Sequence, residues 1–171
     1  MKWVAKHAVT LTLFGMAALV MSTSSDALAQ AGGKARKAES AELTVYEIRA
    51  SNDKGDSDAE LETGALAKKL KKGPFRSWSR FQVMGKHQLQ AQQLKARELA
   101  LKPGGQLSVL YRARMRNDGK KDRLRMSVTM DKPDGKRHLD TTVEVDAGDY
   151  FLVGGRSLDD GATYILAISL K

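Results

Sequence analysis

Apolar and polar residues alternate along most of the second half of the chain, which is the period of a half-buried β-strand. The inward positions of three such strands are Leu107, Val109, Tyr111 and Ala113, then Leu124, Met126, Val128 and Met130, then Leu139, Thr141, Val143 and Val145. Turn sequences separate them at 117–120, 132–135 and 146–149, and Asp-Gly in the first accepts the positive φ angles of a tight hairpin. Nearly continuous apolar runs at 150–153 and 163–170 predict strands buried on both sides or central in a sheet.

A single amphipathic helix is predicted over residues 58–72. Ser57 and Glu60 stand three apart, as in a capping box. Gly73-Pro74 ends the segment, because glycine suits the left-handed position after a helix and proline cannot continue it. Gly64 weakens the helix by about 1 kcal/mol relative to alanine, so the helix needs a sheet to pack against. The apolar residues at helical spacing are Leu61, Leu66 and Leu70.

The remaining segments are predicted as strands. Residues 43–50 form the first strand, and a period of two from Phe75 onward places Phe81 and Val83 on the core face. Residues 88–101 are open between helix, which their composition favours, and a strand entering the turn at Pro103, which we prefer. About eight short strands and one short α-helix (58–72) predict a mainly β fold, an antiparallel β-sandwich or partly open barrel. A two-layer α+β sheet is the alternative.

The N-terminus has the three parts of a secretory signal peptide over residues 1–29. Lys2 and Lys6 precede an apolar run of 14 residues from Ala8 to Met21, and Ala27-Leu28-Ala29 forms a cleavage site. The run is short for a membrane-spanning helix, which needs about 20 residues, so an uncleaved anchor is disfavoured. We expect an exported protein, periplasmic or extracellular, with no transmembrane span in the mature chain.

Composition narrows the chemistry of the mature chain. The sequence has no cysteine, which excludes disulfides and thiol catalysis. The net charge is +9, and loss of residues 1–29 removes two lysines and one aspartate, which leaves +8. We predict a flexible basic arm at 30–41 and one β-rich domain at 42–171. Nucleic acid is an unexpected partner outside the cytoplasm, whereas lipid head groups, lipopolysaccharide, acidic glycans and acidic proteins are available there.

One hairpin carries an unusual charge pattern. A two-residue turn at Asp118-Gly119 predicts three like-charged pairs on the polar face: Arg112 opposite Arg125, Arg114 opposite Arg123, and Arg116 opposite Lys121. Like charges that face each other across a sheet are destabilising. A four-residue turn at 132–135 predicts partial compensation, with Arg123 opposite Glu144, Arg125 opposite Thr142 and Ser127 opposite Asp140.

Two interpretations of this hairpin stay open. In the first, the arginines belong to a solvated outer face, as charged runs usually do. In the second, they bind phosphate or carboxylate groups through their planar guanidinium groups. The candidate anion-binding residues are Arg112, Arg114, Arg116, Arg123 and Arg125.

A second basic segment surrounds a tryptophan. Lysines 68, 69, 71 and 72 end the predicted helix, and Arg76-Ser77-Trp78-Ser79-Arg80 follows. If the strand period holds, Arg76, Trp78 and Arg80 point outward together and form a tentative interface for a membrane, a sugar or a partner protein. The alternative is that a bulge turns Trp78 into the core, since tryptophan is usually largely buried.

No motif points to catalysis. His87 and His138 stand far apart and are expected at the surface, and the acidic residues at 53–60 lack the spacing of a calcium loop. We therefore predict no catalytic residues, no metal and no cofactor. The leading hypothesis is an exported non-enzymatic binding protein with a basic sheet face for an anionic envelope component or acidic partner. A structural subunit of an envelope assembly is the alternative, and an enzyme of unknown type is the third.

Overall fold

The computed structural model describes residues 39–115 and 121–171. In this part of the chain the strands are β1 (Ser40–Ser51), β2 (Arg80–Gln92), β3 (Ala96–Ala100), β4 (Gln106–Met115), β5 (Arg123–Asp131), β6 (Arg137–Asp146), β7 (Tyr150–Ser157) and β8 (Thr163–Leu170). They form two antiparallel sheets, the first with the order β2-β1-β8-β7 and the second with the order β3-β4-β5-β6. The mainly β fold with eight strands in two sheets is therefore confirmed, and the sheets do not close into a barrel.

Some sequence predictions fall on other residues. The signal peptide (1–29), most of the basic arm, the turn at 117–120 and Arg116 lie outside the described residues. The arm was predicted to extend to residue 41, whereas Ser40 and Ala41 already belong to β1. Ala41 is buried in the core, and this burial stabilises the pairing of the end of β1 with β2.

The main core lies between the two sheets. Period-two alternation turns one face of each strand inward, so the predicted inward positions of β4 and β5 pack against β1 and β8, with the exception of Ala113, which pairs with outward-facing Arg125. The pairs Val109–Val128 and Tyr111–Met126 have the register that a two-residue turn at Asp118-Gly119 implies. The fully buried residues of this core include Leu43, Val45, Tyr111, Leu124, Met126, Val128, Leu166 and Ile168.

The outer face of the first sheet is also buried. β1 and β8 are apolar on both faces, and their outward residues Ile48, Ala50, Ile165 and Ala167 form a second cluster under the helical segment. Leucines 61, 66 and 70 of that segment complete the cluster. The prediction of burial on both sides is thus confirmed for β8, which is central, and wrong for β7, which is a half-buried edge strand.

The helical segment consists of three short pieces instead of one helix. α1 (Ala59–Glu62) and α2 (Gly64–Leu70) are separated at Thr63, and a 3-10 helix (Gly73–Ser77) follows. Gly64 has a φ of 79°, a left-handed conformation that interrupts the helix. The residue that was predicted to weaken the helix therefore divides it.

The predicted capping box is absent. Asp58 is the N-cap of α1 and makes no side-chain cap hydrogen bond. Instead, the Ser57 hydroxyl accepts from the backbone N–H of Phe81 at 2.9 Å, and the Asp58 carboxylate accepts from that of Val83 at 2.6 Å. Both side chains thus fasten the start of the helical segment to the free edge of β2.

Residues 88–101 are strand, turn and strand, which confirms the preferred interpretation. β2 ends at Gln92 in the first sheet, and β3 begins at Ala96 in the second. The connecting turn contains Leu94, which has a positive φ of 59° and is 73% exposed. This short turn carries the chain from one sheet to the other.

A buried carboxylate connects the two sheets. Glu47 is fully buried and lies where a bulge interrupts the pairing of β1 with β2. Its Oε2 accepts from the Tyr164 hydroxyl at 2.6 Å and from the backbone N–H of Lys102 at 2.8 Å. Its Oε1 lies 2.7 Å from Nε2 of His87, so this half-buried histidine is not the simple surface residue that was expected. A Cβ on Gly85 would lie 2.9 Å from Oε1, so glycine leaves the room that the carboxylate occupies.

Arg156 also binds the turn between β3 and β4, to which Lys102 belongs. Its guanidinium donates to the backbone carbonyls of Pro103 and Gly104, the latter at 2.7 Å. Arg156 belongs to β7 at a register shift after Gly154, so its side chain reaches across the end of the sandwich. Glu47 of β1 therefore accepts a hydrogen bond from the β3–β4 turn, and Arg156 of β7 donates hydrogen bonds to it. Both side chains come from the first sheet, and the turn belongs to the second.

Replacement of Glu47 by leucine tests this connection. Leucine is of similar size but accepts no hydrogen bond, so the Tyr164 hydroxyl and the Lys102 N–H both lose their acceptor. At about 1–3 kcal/mol for each unsatisfied buried donor, we expect the free energy of unfolding to fall by about 2–6 kcal/mol in urea titrations. The control Glu42→Leu removes only an exposed pair with Lys171 and should cost about 1 kcal/mol or less. Equal losses in the two variants would contradict the assignment.

The pH dependence of stability gives a second test. Burial, followed by the hydrogen bond to Glu47, raises the pKa of Tyr164 above the 10.0 of a free tyrosine. A raised folded pKa gives a contribution that is complete below pH 10.0 and is lost as the pH rises beyond it. We expect the urea midpoint to fall more steeply above that pH in the wild type than in Tyr164→Phe. Identical slopes would contradict this role of Tyr164.

Candidate anion-binding surfaces

The arginine hairpin follows the predicted register only as far as Tyr111. A bulge at Arg112 shifts the register, so that Ala113 pairs with Arg125 and Arg114 pairs with Leu124. The predicted pairs Arg112–Arg125 and Arg114–Arg123 are therefore wrong. The reason is the extra residue in β4, because a slip of one residue exchanges the two faces of a strand.

The bulge separates the arginines of β4. Arg112 stays exposed, and its Nε donates to the Ser127 hydroxyl at 2.6 Å. Arg114 turns to the side of buried Leu124, and its side chain is only 19% exposed. Its guanidinium nitrogens lie 3.7 Å from carboxylate oxygens of Asp122 and Glu39. These two arginines therefore do not share one surface.

The arginines of β5 point outward as predicted but have carboxylate partners. Arg125 pairs with Glu144 at 2.6 Å, and Arg123 pairs with Asp146 at 2.5 Å. The predicted partners were two residues away, because the turn is one residue longer than predicted and the register shifts by one more residue between Met130 and Asp131. An offset of two residues preserves the faces, so opposite charges still meet across β5 and β6.

These ion pairs persist near neutral pH. The hydrogen bond from Arg125 holds the pKa of the Glu144 carboxyl below its usual value, and the bond from Arg123 does the same for the pKa of Asp146. Both carboxylates are therefore ionised at neutral pH, where the arginines are also charged. An external anion would have to displace them, so the anion-binding role of the hairpin stays a prediction with weakened support.

The end of the helical segment carries cations of a different kind. Four exposed side chains at the end of α2 and in the 3-10 helix lie within 4 Å of no carboxylate in the described part of the chain. They form what we call the basic ridge: Lys68, Lys71, Lys72 and Arg76. The fifth cation, Lys69, is paired with Asp149 at 2.8 Å and donates to the backbone carbonyl of Tyr150. This bond fastens α2 to β7.

Trp78 is neither fully outward nor a core residue. The 3-10 helix occupies residues that were predicted as strand, so the period of two does not extend back from Phe81 and the expected shared face is wrong. Trp78 is half-buried and packs beside Phe75, with ring centroids 6.4 Å apart. Both rings border the basic ridge.

The Arg80 guanidinium is used in hydrogen bonds within the protein. Its Nε donates to the backbone carbonyl of Asp56 at 3.1 Å, and a terminal nitrogen lies 3.4 Å from that of Lys54. The guanidinium therefore fastens the loop before α1. Of the predicted interface residues, Arg76 and Trp78 stay together at the surface and Arg80 stands apart from them.

Two hollows flank the 3-10 helix. One has a volume of about 220 Å³ and lies beside Trp78, with Lys71 and Arg76 but also the carboxylate of Glu62 in its lining. The other, which we call the aromatic groove, has a volume of about 290 Å³ and contains no acidic residue in its lining. Its lining residues include Lys69, Lys72, Pro74, Phe75, Tyr150 and Leu152.

The aromatic groove was not predicted from the sequence. Tyr150 and Leu152 were assigned only to a buried strand, and their edge position becomes visible in the strand order. Burial raises the pKa of Tyr150, so its phenol is neutral at physiological pH. The sequence did contain a signal for this groove. Phe75 directly follows the Gly73-Pro74 helix end, close to several lysines, which places an aromatic side chain beside positive charge.

Other classes of site find no support in the described residues. No three side chains of the His, Asp or Glu type are grouped there as metal ligands, and no helix there is long and apolar enough to cross a membrane. A third hollow, of about 210 Å³, contains Arg49, whose guanidinium is already paired with Asp53 and Asp160. Comparison of the chain with protein-family models, curated proteins and solved structures finds no match.

Removal of two carboxylates tests whether ion pairing prevents the hairpin arginines from binding an external anion. In Glu144→Gln/Asp146→Asn, Arg123 and Arg125 lose their partners, and we expect the protein to elute from heparin at higher salt than the wild type. The control Asp56→Asn/Asp159→Asn changes the net charge equally but frees no arginine. A larger salt shift in the first variant is expected, and equal shifts would contradict the pairing argument.

Proposed function

We propose that the protein is an exported, non-enzymatic binding protein that attaches through the basic ridge to an anionic lipid surface of the cell envelope. The observation that carries this proposal is the pairing of the cations. The hairpin arginines Arg123 and Arg125 have carboxylate partners, whereas the four ridge cations have none in the described part of the chain. The ridge gathers four such cations within nine residues of sequence, whereas Lys95 and Lys132 are single exposed lysines in turns.

The apolar neighbours of the ridge favour lipid over an acidic polymer or protein. Phe75 and Trp78 are half-buried between the ridge cations and the core. Aromatic side chains such as tryptophan and phenylalanine, beside lysine and arginine, suit the boundary between head groups and acyl chains. An acidic glycan would require polar hydrogen-bonding groups along its path, whereas the hollow next to Phe75 is mainly apolar in its lining.

The expected strength of attachment follows from the number of free cations. Each lysine or arginine near an anionic membrane surface contributes about 1 kcal/mol. The four ridge residues therefore supply about 4 kcal/mol, which corresponds to a dissociation constant of about 1 mM without further contacts. Attachment by charge alone would be weak, reversible and sensitive to salt.

Charge reversal in the ridge tests the proposal. The protein, as expressed and processed by its host, is sedimented with phosphatidylglycerol vesicles and with phosphatidylcholine vesicles. We expect Lys72→Glu/Arg76→Glu to weaken binding to the anionic vesicles at least thirty-fold, since a loss of about 2 kcal/mol or more accompanies removal of two cations. Binding of the wild type should fall steeply with added salt.

The matched control reverses two exposed lysines elsewhere. Lys95→Glu/Lys132→Glu changes the net charge equally at the β2–β3 and β5–β6 turns. We expect this variant to retain most of the binding. Equal losses in both variants would show an effect of net charge alone and would contradict a localised site. Wild-type binding that is equal on both kinds of vesicle, or a stoichiometric protein partner cross-linked at the ridge in cells, would also overturn the proposal.

A further inference from the structure

The aromatic groove is an open hollow whose mainly apolar lining suits one hydrocarbon chain. It lies between the 3-10 helix and β7, and Phe75, Tyr150 and Leu152 supply its apolar surface. Its volume of about 290 Å³ is at the lower end of the range for ligand sites. The groove therefore suits a segment of a single chain rather than a whole lipid with two chains.

The position of the Phe75 ring depends on a glycine in β7. A Cβ on Gly154 would lie 2.9 Å from Cε1 of Phe75 and 3.3 Å from Cγ1 of Ile165. Real Cβ atoms do not approach a ring carbon so closely, so any side chain at this position would displace the ring. The absence of a side chain at position 154 thus lets the ring lie on the sheet and form one wall of the groove.

The charged side chains at the groove favour a ligand with an anionic head group. Lys69 is held by Asp149 and by the Tyr150 carbonyl, so its ammonium is fixed in place. Lys72 is exposed and lies within 4 Å of no carboxylate in the described part of the chain. The lining contains no acidic residue, in contrast to the hollow beside Trp78, where Glu62 would repel an anion. Lys72 is therefore the group that a head group at the mouth of the groove would meet.

We propose that the aromatic groove binds one acyl chain of an anionic amphiphile, with the head group at Lys72. This inference rests on the proposed attachment to anionic lipid and deepens it. The ridge by itself would hold the protein on a lipid surface through charge. A chain in the groove adds apolar contact and lets the protein hold a single lipid molecule away from a bilayer.

Two alkyl phosphates with the same head group and different chains test the inference by isothermal titration calorimetry. Dodecyl phosphate, used below its micelle concentration, is compared with butyl phosphate on the protein as expressed and processed by its host. We expect one dodecyl phosphate to bind each protein molecule at least tenfold more tightly than butyl phosphate. Equal affinities for the two probes, or binding of several dodecyl phosphates at unrelated places, would overturn the inference.

Two variants test whether the alkyl chain of dodecyl phosphate lies in the aromatic groove. Gly154→Ala should move the Phe75 ring into the groove, and Phe75→Ala should remove one wall, so each should weaken dodecyl phosphate at least fivefold. Phe75 is half-buried at the surface, so its alanine variant provides a test even if Gly154→Ala fails to fold. The matched control is Leu94→Ala, which removes an exposed apolar side chain elsewhere and should change nothing. Undiminished affinity in folded Phe75→Ala protein would overturn the assignment.

The two proposals fail in different ways. Phe75→Ala should leave the steep salt dependence of binding to phosphatidylglycerol vesicles in place, because the four ridge cations that set it remain. If vesicles bind through the ridge but dodecyl phosphate is no better than butyl phosphate, only the groove is wrong. If dodecyl phosphate binds in the groove but charge reversal of the ridge leaves vesicle binding unchanged, only the surface attachment is wrong.

Discussion

The carboxylate of Glu47 is the constraint on which the arrangement of the two sheets depends. It is fully buried and receives hydrogen bonds from β8, from the β3–β4 turn and from the His87 ring of β2. A buried carboxylate is tolerated only where its oxygens are satisfied. These donors can all reach it only when the β3–β4 turn is seated on the first sheet. The bulge in β2 opposite Glu47 and the glycine at position 85 are local features that make room for this side chain.

The same arrangement positions the candidate site on the opposite side of the first sheet. Because β1 and β8 are apolar on both faces, the first sheet has one core toward the second sheet and another toward the helical segment. Leu66 and Leu70 fix the inner face of α2, and the bond from Lys69 to β7 fixes its end. The ridge cations and the Phe75 ring are therefore carried by a rigid support rather than by a free loop.

The parts of the structure that the sequence could predict are those that depend on side-chain period. Alternation located the strands, and the faces of Arg123 and Arg125 were right although their partners were two residues away. The partner of Arg112 and the face of Arg114 were wrong because a bulge adds a single residue, which exchanges the faces beyond it without altering the alternation in the sequence. Trp78 was placed wrongly because the strand period was extended into a 3-10 helix, whose short length leaves no periodic signal.

The distribution of ion pairs, rather than the number of arginines, decides where an external anion can bind. An arginine that is paired with a carboxylate must give up that pair to hold another anion, and one exposed ion pair is worth about as much as another. A lysine that has only water around it gives up much less. The richest cluster of arginines in the sequence is therefore the less suitable surface, because β6 supplies Glu144 and Asp146 opposite it. Around the ridge, Glu60 holds Lys86 and Asp149 holds Lys69. Glu62 lines the hollow with Lys71 and Arg76 but forms no ion pair with either of them. Because β6 neutralises the hairpin, the four unpaired cations of the ridge, at the edge of the aromatic groove, are the better candidate surface for an external anion.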